Sequence, residues 1–93
     1  MKLAIDEERY EVTRGKKQVE LSPKEYLILQ ALVKADGRVL SRENLIKMIW
    51  KRDSSIDRPS VDQHVSRLRK RIGADAIITM TRFGYKINRM VLS

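Results

Sequence analysis

Ser60-Val61-Asp62-Gln63-His64-Val65-Ser66-Arg67-Leu68-Arg69-Lys70-Arg71-Ile72 is the stretch on which the reading of this chain turns. On a helix, at about 100° per residue, Val61, Val65, Leu68 and Ile72 fall on one narrow stripe, and Gln63, Ser66, Arg67 and Lys70 fall on the opposite face. The stripe anchors such a helix to a small core. The outward face offers guanidinium, ammonium, amide and hydroxyl groups to a polyanion that also carries hydrogen-bonding information, and duplex DNA is the commonest partner of that kind. Arg67, Arg69, Lys70 and Arg71 lie within five residues and repel one another, a cost that an anionic partner offsets. Gln63 and Ser66 are short groups suited to base edges, Arg67 is able to fork onto a guanine, and Lys70 is placed for phosphate. Arg69 and Arg71 flank the seam, where a phosphate contact or an ion pair inside the domain is expected rather than base reading. His64 reads as packed or phosphate-facing, because with no cysteine and no second histidine it lacks metal co-ligands.

The remaining sequence reads as the support for this helix. Upstream, Leu3 and Ile5, Tyr10 and Val12, and Val19 and Leu21 alternate with polar residues around turns at Asp6-Glu7-Glu8 and Gly15, which predicts an antiparallel meander of three strands over residues 1–21. Ser22-Pro23-Lys24-Glu25 is a capping box with Pro at the first helical position, and the helix it opens ends at a left-handed cap, Asp36-Gly37. Ser41 caps a second helix to about Trp50, with Leu45, Met48 and Ile49 expected to face inward. Trp50 either plugs the core or lies against a sugar-phosphate backbone. Residues 51–59 show no apolar periodicity and read as a loop, after which either Asp57 or Ser60 caps the basic helix. Gly73 ends that helix. Residues 77–88 read as a hairpin whose tip is Arg82-Phe83-Gly84, with Gly84 supplying the positive φ and Val39 adding a third rung.

Composition narrows the class. A chain of 93 residues makes one domain, here 1–93, with a single modest core. Apolar residues make up 42%, which is globular, and there is no cysteine for a disulfide, a thiolate metal site or a nucleophile. No apolar run nears the roughly 18 residues of a membrane span, so the domain reads as soluble and cytoplasmic. Lys and Arg outnumber Asp and Glu by 8 to 7 in residues 1–41 and by 12 to 5 in residues 42–93, so the net +8 divides into +1 and +7. That asymmetry favours a large polyanionic surface over a small acidic ligand. No base adjoins Ser54 or Ser55 and no glycine loop cradles a phosphate, so the reading is non-enzymatic, without cofactor or small-molecule ligand. Only Phe83 joins a bulky apolar group to the basic ones, too little for membrane binding. The alternative that composition leaves open is an interaction module docking an acidic protein. Four to six phosphate-contacting cations give a log-log salt slope near −4 to −5.

Strands, three helices and a basic-tipped hairpin are the plan of an α+β winged helix-turn-helix. The sequence resembles the DNA-binding effector domain of OmpR/PhoB-type response regulators through Leu-Ser-Pro-Lys-Glu-Tyr at 21–26, Gly-Arg-Val-Leu-Ser-Arg-Glu-Asn-Leu at 37–45, Ile-Trp at 49–50, the run from Val61 to Ile72 and Gly-Tyr-Lys-Ile at 84–87. The resemblance implies a three-helix core over 22–73, a wing over 77–88, and a transcription regulator binding as two copies on tandem half-sites. It implies the third helix in the major groove, phosphate contacts from Arg58, His64, Arg69, Lys70, Arg71, Thr79 and Tyr85, and a minor-groove contact from Thr81 and Arg82. It also implies contact between RNA polymerase and the loop of Lys51, Arg52, Asp53, Ser54 and Ser55. The chain departs from the family pattern in three places. It shows three N-terminal strands where four are usual, it is one residue longer at Arg58-Pro59-Ser60-Val61, and it places Thr81 where the wing arginine falls and Arg82 where a turn glycine falls. Arg82 is therefore expected to act from a shifted position. A receiver domain is absent from these residues, consistent with an excised effector domain or a stand-alone regulator.

Overall fold

A computed structural model describes residues 1–50 and 60–93. Strands β1 (Leu3–Asp6), β2 (Glu11–Arg14) and β3 (Lys17–Val19) form an antiparallel sheet in that order, with Ile5 opposite Val12 and Val12 opposite Val19. Helices α1 (Pro23–Ala35), α2 (Arg42–Ile49) and α3 (Val61–Ile72) follow, then the hairpin of β4 (Ile77–Met80) and β5 (Gly84–Ile87). Leu3 and Val12 from the first sheet, Ile28, Leu29 and Leu32 from α1, Leu45 from α2, Val65, Leu68 and Ile72 from α3, and Ile77 and Ile87 from the hairpin share one core. Each fully buried aliphatic contributes roughly 1.5–3 kcal/mol, so the α3 seam alone is a large part of what holds the helix in place.

Local chemistry sets the boundaries. The capping box forms in both directions: the Glu25 amide donates to Ser22 Oγ at 3.2 Å and the Ser22 amide donates to Glu25 Oε1 at 3.0 Å. Ser41 Oγ accepts from the Asn44 amide at 3.0 Å, and Ser60 Oγ accepts from the Gln63 amide at 3.2 Å, so Ser60 starts α3. The loop expected over 51–59, with the alternative cap Asp57, lies outside the described residues.

Four expectations need correction. Tyr10 belongs to the turn after β1, at φ 54° and 73% exposed, because Asp6 accepts from the Glu8 and Arg9 amides and tightens the turn before the strand begins. Leu21 lies past the end of β3 but still packs against the core. Met48 is exposed, since the short α2 buries Leu45 and Ile49 one turn apart and turns Ile46 to the core instead. The third rung of the wing is Leu40, not the exposed Val39: Leu40 and Tyr85 exchange backbone hydrogen bonds of 2.8 and 3.0 Å.

The wing tip also differs in detail. Its left-handed residue is Arg82 at φ 75°, and the Phe83 amide closes the turn on the Met80 carbonyl at 2.8 Å. Gly84, at φ 142°, serves the approach of the Leu40 segment, since a Cβ there would overlap the Leu40 carbonyl oxygen. Gly84→Ala is therefore expected to lower stability by roughly 1–3 kcal/mol, read as a fall in the denaturation midpoint. An unchanged midpoint would show that the rung is not a constraint.

Candidate nucleic-acid interface

The α3 seam is shut: Val61, Val65, Leu68 and Ile72 are all buried. Gln63, Ser66, Arg67 and Lys70 are exposed on the far side, and none of their side chains makes a hydrogen bond or ion pair among the described residues. The other polar residues of the helix are engaged within the molecule. Asp62 accepts from the Tyr85 hydroxyl and pairs with Arg42 Nε at 2.8 Å. Tyr85 is 4% exposed, and the Arg42 and Arg69 guanidiniums lie 5.1 and 5.6 Å from its ring centroid. A buried phenol keeps its proton-donating role only if an acceptor reaches it, and Asp62 at the start of α3 is that acceptor.

This cluster shifts its own titrations. The Tyr85 hydroxyl first and Arg42 second hold the Asp62 carboxyl below its ordinary value. Burial, then the hydrogen bond to Asp62, pushes the Tyr85 phenol up. Asp62 holds the Arg42 guanidinium in its charged form.

Arg69 turns toward the wing. Its Nη2 donates to the Ile77 carbonyl and to Thr79 Oγ1, both at 2.7 Å, and its Nε donates to the same carbonyl at 3.2 Å. Arg71 turns toward the N-terminal side, pairing with the buried Glu25 at 3.3 Å and donating to the Glu20 carbonyl at 3.0 Å. Arg14 on β2 grips the end of α3 by donating to the Ile72 carbonyl at 2.7 Å while forking onto Asp75 at 2.8 and 2.9 Å. His64 Nδ1 lies 2.8 Å from the Ser60 carbonyl, which can only accept, so that nitrogen carries the hydrogen. Its ring meets Trp50 edge-on at 5.1 Å. Trp50 is half-buried and packs against the core with Lys24 over its ring, the first of its two expected roles.

The structure thus brings Gln63, Ser66, Arg67 and Lys70 onto one open face, with Thr81 and Arg82 exposed at the wing tip. Thr79 is exposed, with its oxygen accepting from Arg69 and its proton still available. Arg69, Arg71 and Tyr85 are bonded to other groups of the same chain, Arg71 while still exposed. Arg58, Lys51, Arg52, Asp53, Ser54 and Ser55 lie outside the described residues. Sequence reasoning missed the Arg42–Asp62–Tyr85 cluster, whose members are separated by 20 and 23 positions. Among the described residues no group of three or more His, Cys, Asp or Glu is placed to hold a metal ion, and no helix is long and apolar enough to cross a membrane.

Residues 15–87 match the family described as transcriptional regulatory protein, C terminal. The chain belongs to this family, the OmpR/PhoB type. It is 44% identical over 85 residues to the transcriptional regulatory protein CseB of Streptomyces avermitilis, covering 91% of this chain and 36% of that protein. It is 36% identical to the phosphate regulon transcriptional regulatory protein PhoB of Rhizobium meliloti, covering 91% of this chain and 39% of that protein. The chain thus spans little more than a third of the length of these curated relatives. The crystal structure of the Klebsiella pneumoniae RstA DNA-binding domain in complex with the RstA box superposes with a TM-score of 0.82 at 30% identity, covering 96% of this chain and 93% of that one. Family and structure agree on the winged-helix fold of the effector domain.

The sign of the Asp62 shift gives a pH test. A carboxyl lowered on folding stabilises fully above its ordinary value of 3.8, and the contribution is lost as pH falls below that through the lowered folded value. Asp62 is 61% exposed, so its pairing is screened and the effect is of order 1 kcal/mol. Asp62→Asn should therefore be less stable at pH 7, and the gap to the unsubstituted protein should narrow below about pH 4. A gap that stays constant with pH would mean that the carboxylate charge is not what the cluster uses.

Proposed function

We propose that this domain binds double-stranded DNA in a sequence-selective way as the effector part of a transcription regulator, with α3 in the major groove and the wing tip at the adjacent minor groove. The observation that carries the reading is the division of charge on α3. Asp62, His64, Arg69 and Arg71 are engaged inside the molecule, while Gln63, Ser66, Arg67 and Lys70 are exposed and unpaired among the described residues. A helix that merely solvated its outer face has no reason to keep this donor set together beside a cationic tip. The RstA domain, bound to its DNA box, supports the same use of this fold.

In this reading Gln63, Ser66 and Arg67 address base edges, Lys70 and Thr79 address phosphate, and Thr81 and Arg82 address the minor groove. Arg71 and Tyr85 act as supports instead of phosphate contacts. His64 donates to phosphate through Nε2 only as the imidazolium, since neutral imidazole with Nδ1–H offers a lone pair there. Two extensions come from the resemblance: binding as two copies on tandem half-sites, and contact between residues 51–55 and RNA polymerase. Protomers counted per duplex decide the first, and transcription by Asp53→Ala with Ser55→Ala protein at unchanged DNA affinity decides the second.

With Arg67, Lys70 and Arg82 as the contacting cations, the log-log salt slope is about −2.7, shallower than the charge inventory alone implies. Arg67→Ala is expected to cost roughly 1–3 kcal/mol on a specific site and little on random duplex, whereas Lys70→Ala weakens both alike. Titration of labelled duplexes over a range of salt measures both. A flat salt response would point to an acidic protein partner, and equal losses for the two substitutions would end the distinction between reader and clamp.

A further inference from the structure

Arg69 presents three hydrogen bonds to one strand of the wing and none to a carboxylate among the described residues. Its Nε and Nη2 share the Ile77 carbonyl, and Nη2 also reaches Thr79 Oγ1, two residues along β4. Thr79 stands opposite Tyr85 in the hairpin register, and the guanidinium lies 5.6 Å from the Tyr85 ring centroid, so one planar group meets both strands. A guanidinium is rigid and its donors are fixed in a fork, so the contact defines a direction as well as a distance; an ammonium on a flexible stem would not. Beyond Thr79 the strand runs only through Met80 to the tip.

We propose that Arg69 is the positioning residue of the wing. From the last turn of α3 it fixes the offset between the helix face carrying Gln63, Ser66 and Arg67 and the tip carrying Arg82, and so selects which flanking base steps the tip meets. This role rests on the DNA-binding reading above. It differs from a phosphate contact, which would act equally on every sequence, and from a purely structural tie, which would act on stability alone. The guanidinium, with no carboxylate partner among the described residues, also brings a positive charge between helix and wing, where it adds to the field that draws a duplex into the angle between them.

The test is a double-substitution cycle on flank preference. The unsubstituted protein, Arg69→Gln, Arg82→Ala and the double variant are titrated with two duplexes that share a core site and carry A·T-rich or G·C-rich flanks. A third duplex has the guanine read by Arg67 replaced. The unsubstituted protein should favour A·T-rich flanks several-fold. Each single substitution should bring that ratio close to one, and the double variant should show no further change. Discrimination against the replaced guanine should persist in all four proteins. Thr79→Val, which removes one arm of the fork without touching Arg69, should give an intermediate ratio, and Thr79→Ser should restore it. Equal losses on both flanks, a further loss of preference in the double variant, or an unsubstituted protein indifferent to flanks would each overturn the proposal. Loss of flank preference with core discrimination intact is confined to the wing. Absence of core discrimination in the unsubstituted protein would overturn the DNA reading and this inference with it.

Discussion

The hydrogen bond from the Tyr85 hydroxyl to Asp62 is the constraint on which the candidate site depends. It joins the wing to the first turn of α3, and Arg42 joins α2 to the same carboxylate. Tyr85 is buried, and a buried hydroxyl without an acceptor costs about 1–3 kcal/mol. Its backbone simultaneously pairs with Leu40, which Gly84 makes possible by leaving room for the Leu40 carbonyl. Helix, wing and the segment before α2 are therefore located by one residue. An exposed ion pair such as Arg42 with Asp62 would contribute little alone, but here it restrains a carboxylate that a buried group requires.

Once that cluster is formed, the charge on α3 has few arrangements left. Arg69 is drawn to the Ile77 carbonyl and the Thr79 hydroxyl of β4, and Arg71 is drawn to Glu25, a buried carboxylate that already completes the α1 cap. Arg14 covers the carbonyl end of the helix. Among the described residues Arg67 and Lys70 of α3 and Arg82 at the wing tip keep exposed, unpaired side chains. Packing thus sorts a run of similar side chains into supports and contacts.

Much of this was legible in the sequence, for physical reasons that differ by residue. The α1 start was legible because a capping box is a local device written in four consecutive residues. The α3 seam was legible because helical periodicity places Val61, Val65, Leu68 and Ile72 together whatever surrounds them. The exposure of Gln63, Ser66, Arg67 and Lys70 follows from the same geometry. Arg69 and Arg71 flank the seam by periodicity, but their partners were not legible, since Ile77, Thr79, Glu20 and Glu25 come near only through tertiary folding. Asp62 was invisible for the same reason: next to Gln63 it reads as an ordinary acidic residue of a first helical turn. Val39 and Leu40 were exchanged because a bridge of one residue pair has no periodicity to reveal which neighbour faces the strand. Met48 was misplaced because a helix of 8 residues buries a narrower stripe than its apolar residues would fill.

In the proposed function α3 keeps Arg67 for a duplex, while Arg69 and Arg71 stay bonded to groups of the same chain. Side-chain Nε–Hε resonances of the arginines report this directly, since each responds to its own hydrogen-bond partners. On titration with a duplex carrying the specific site, the Arg67 and Arg82 resonances should shift and sharpen, while those of Arg42, Arg69 and Arg71 keep their positions. Large shifts at Arg69 and Arg71 with Arg67 unmoved would contradict the account.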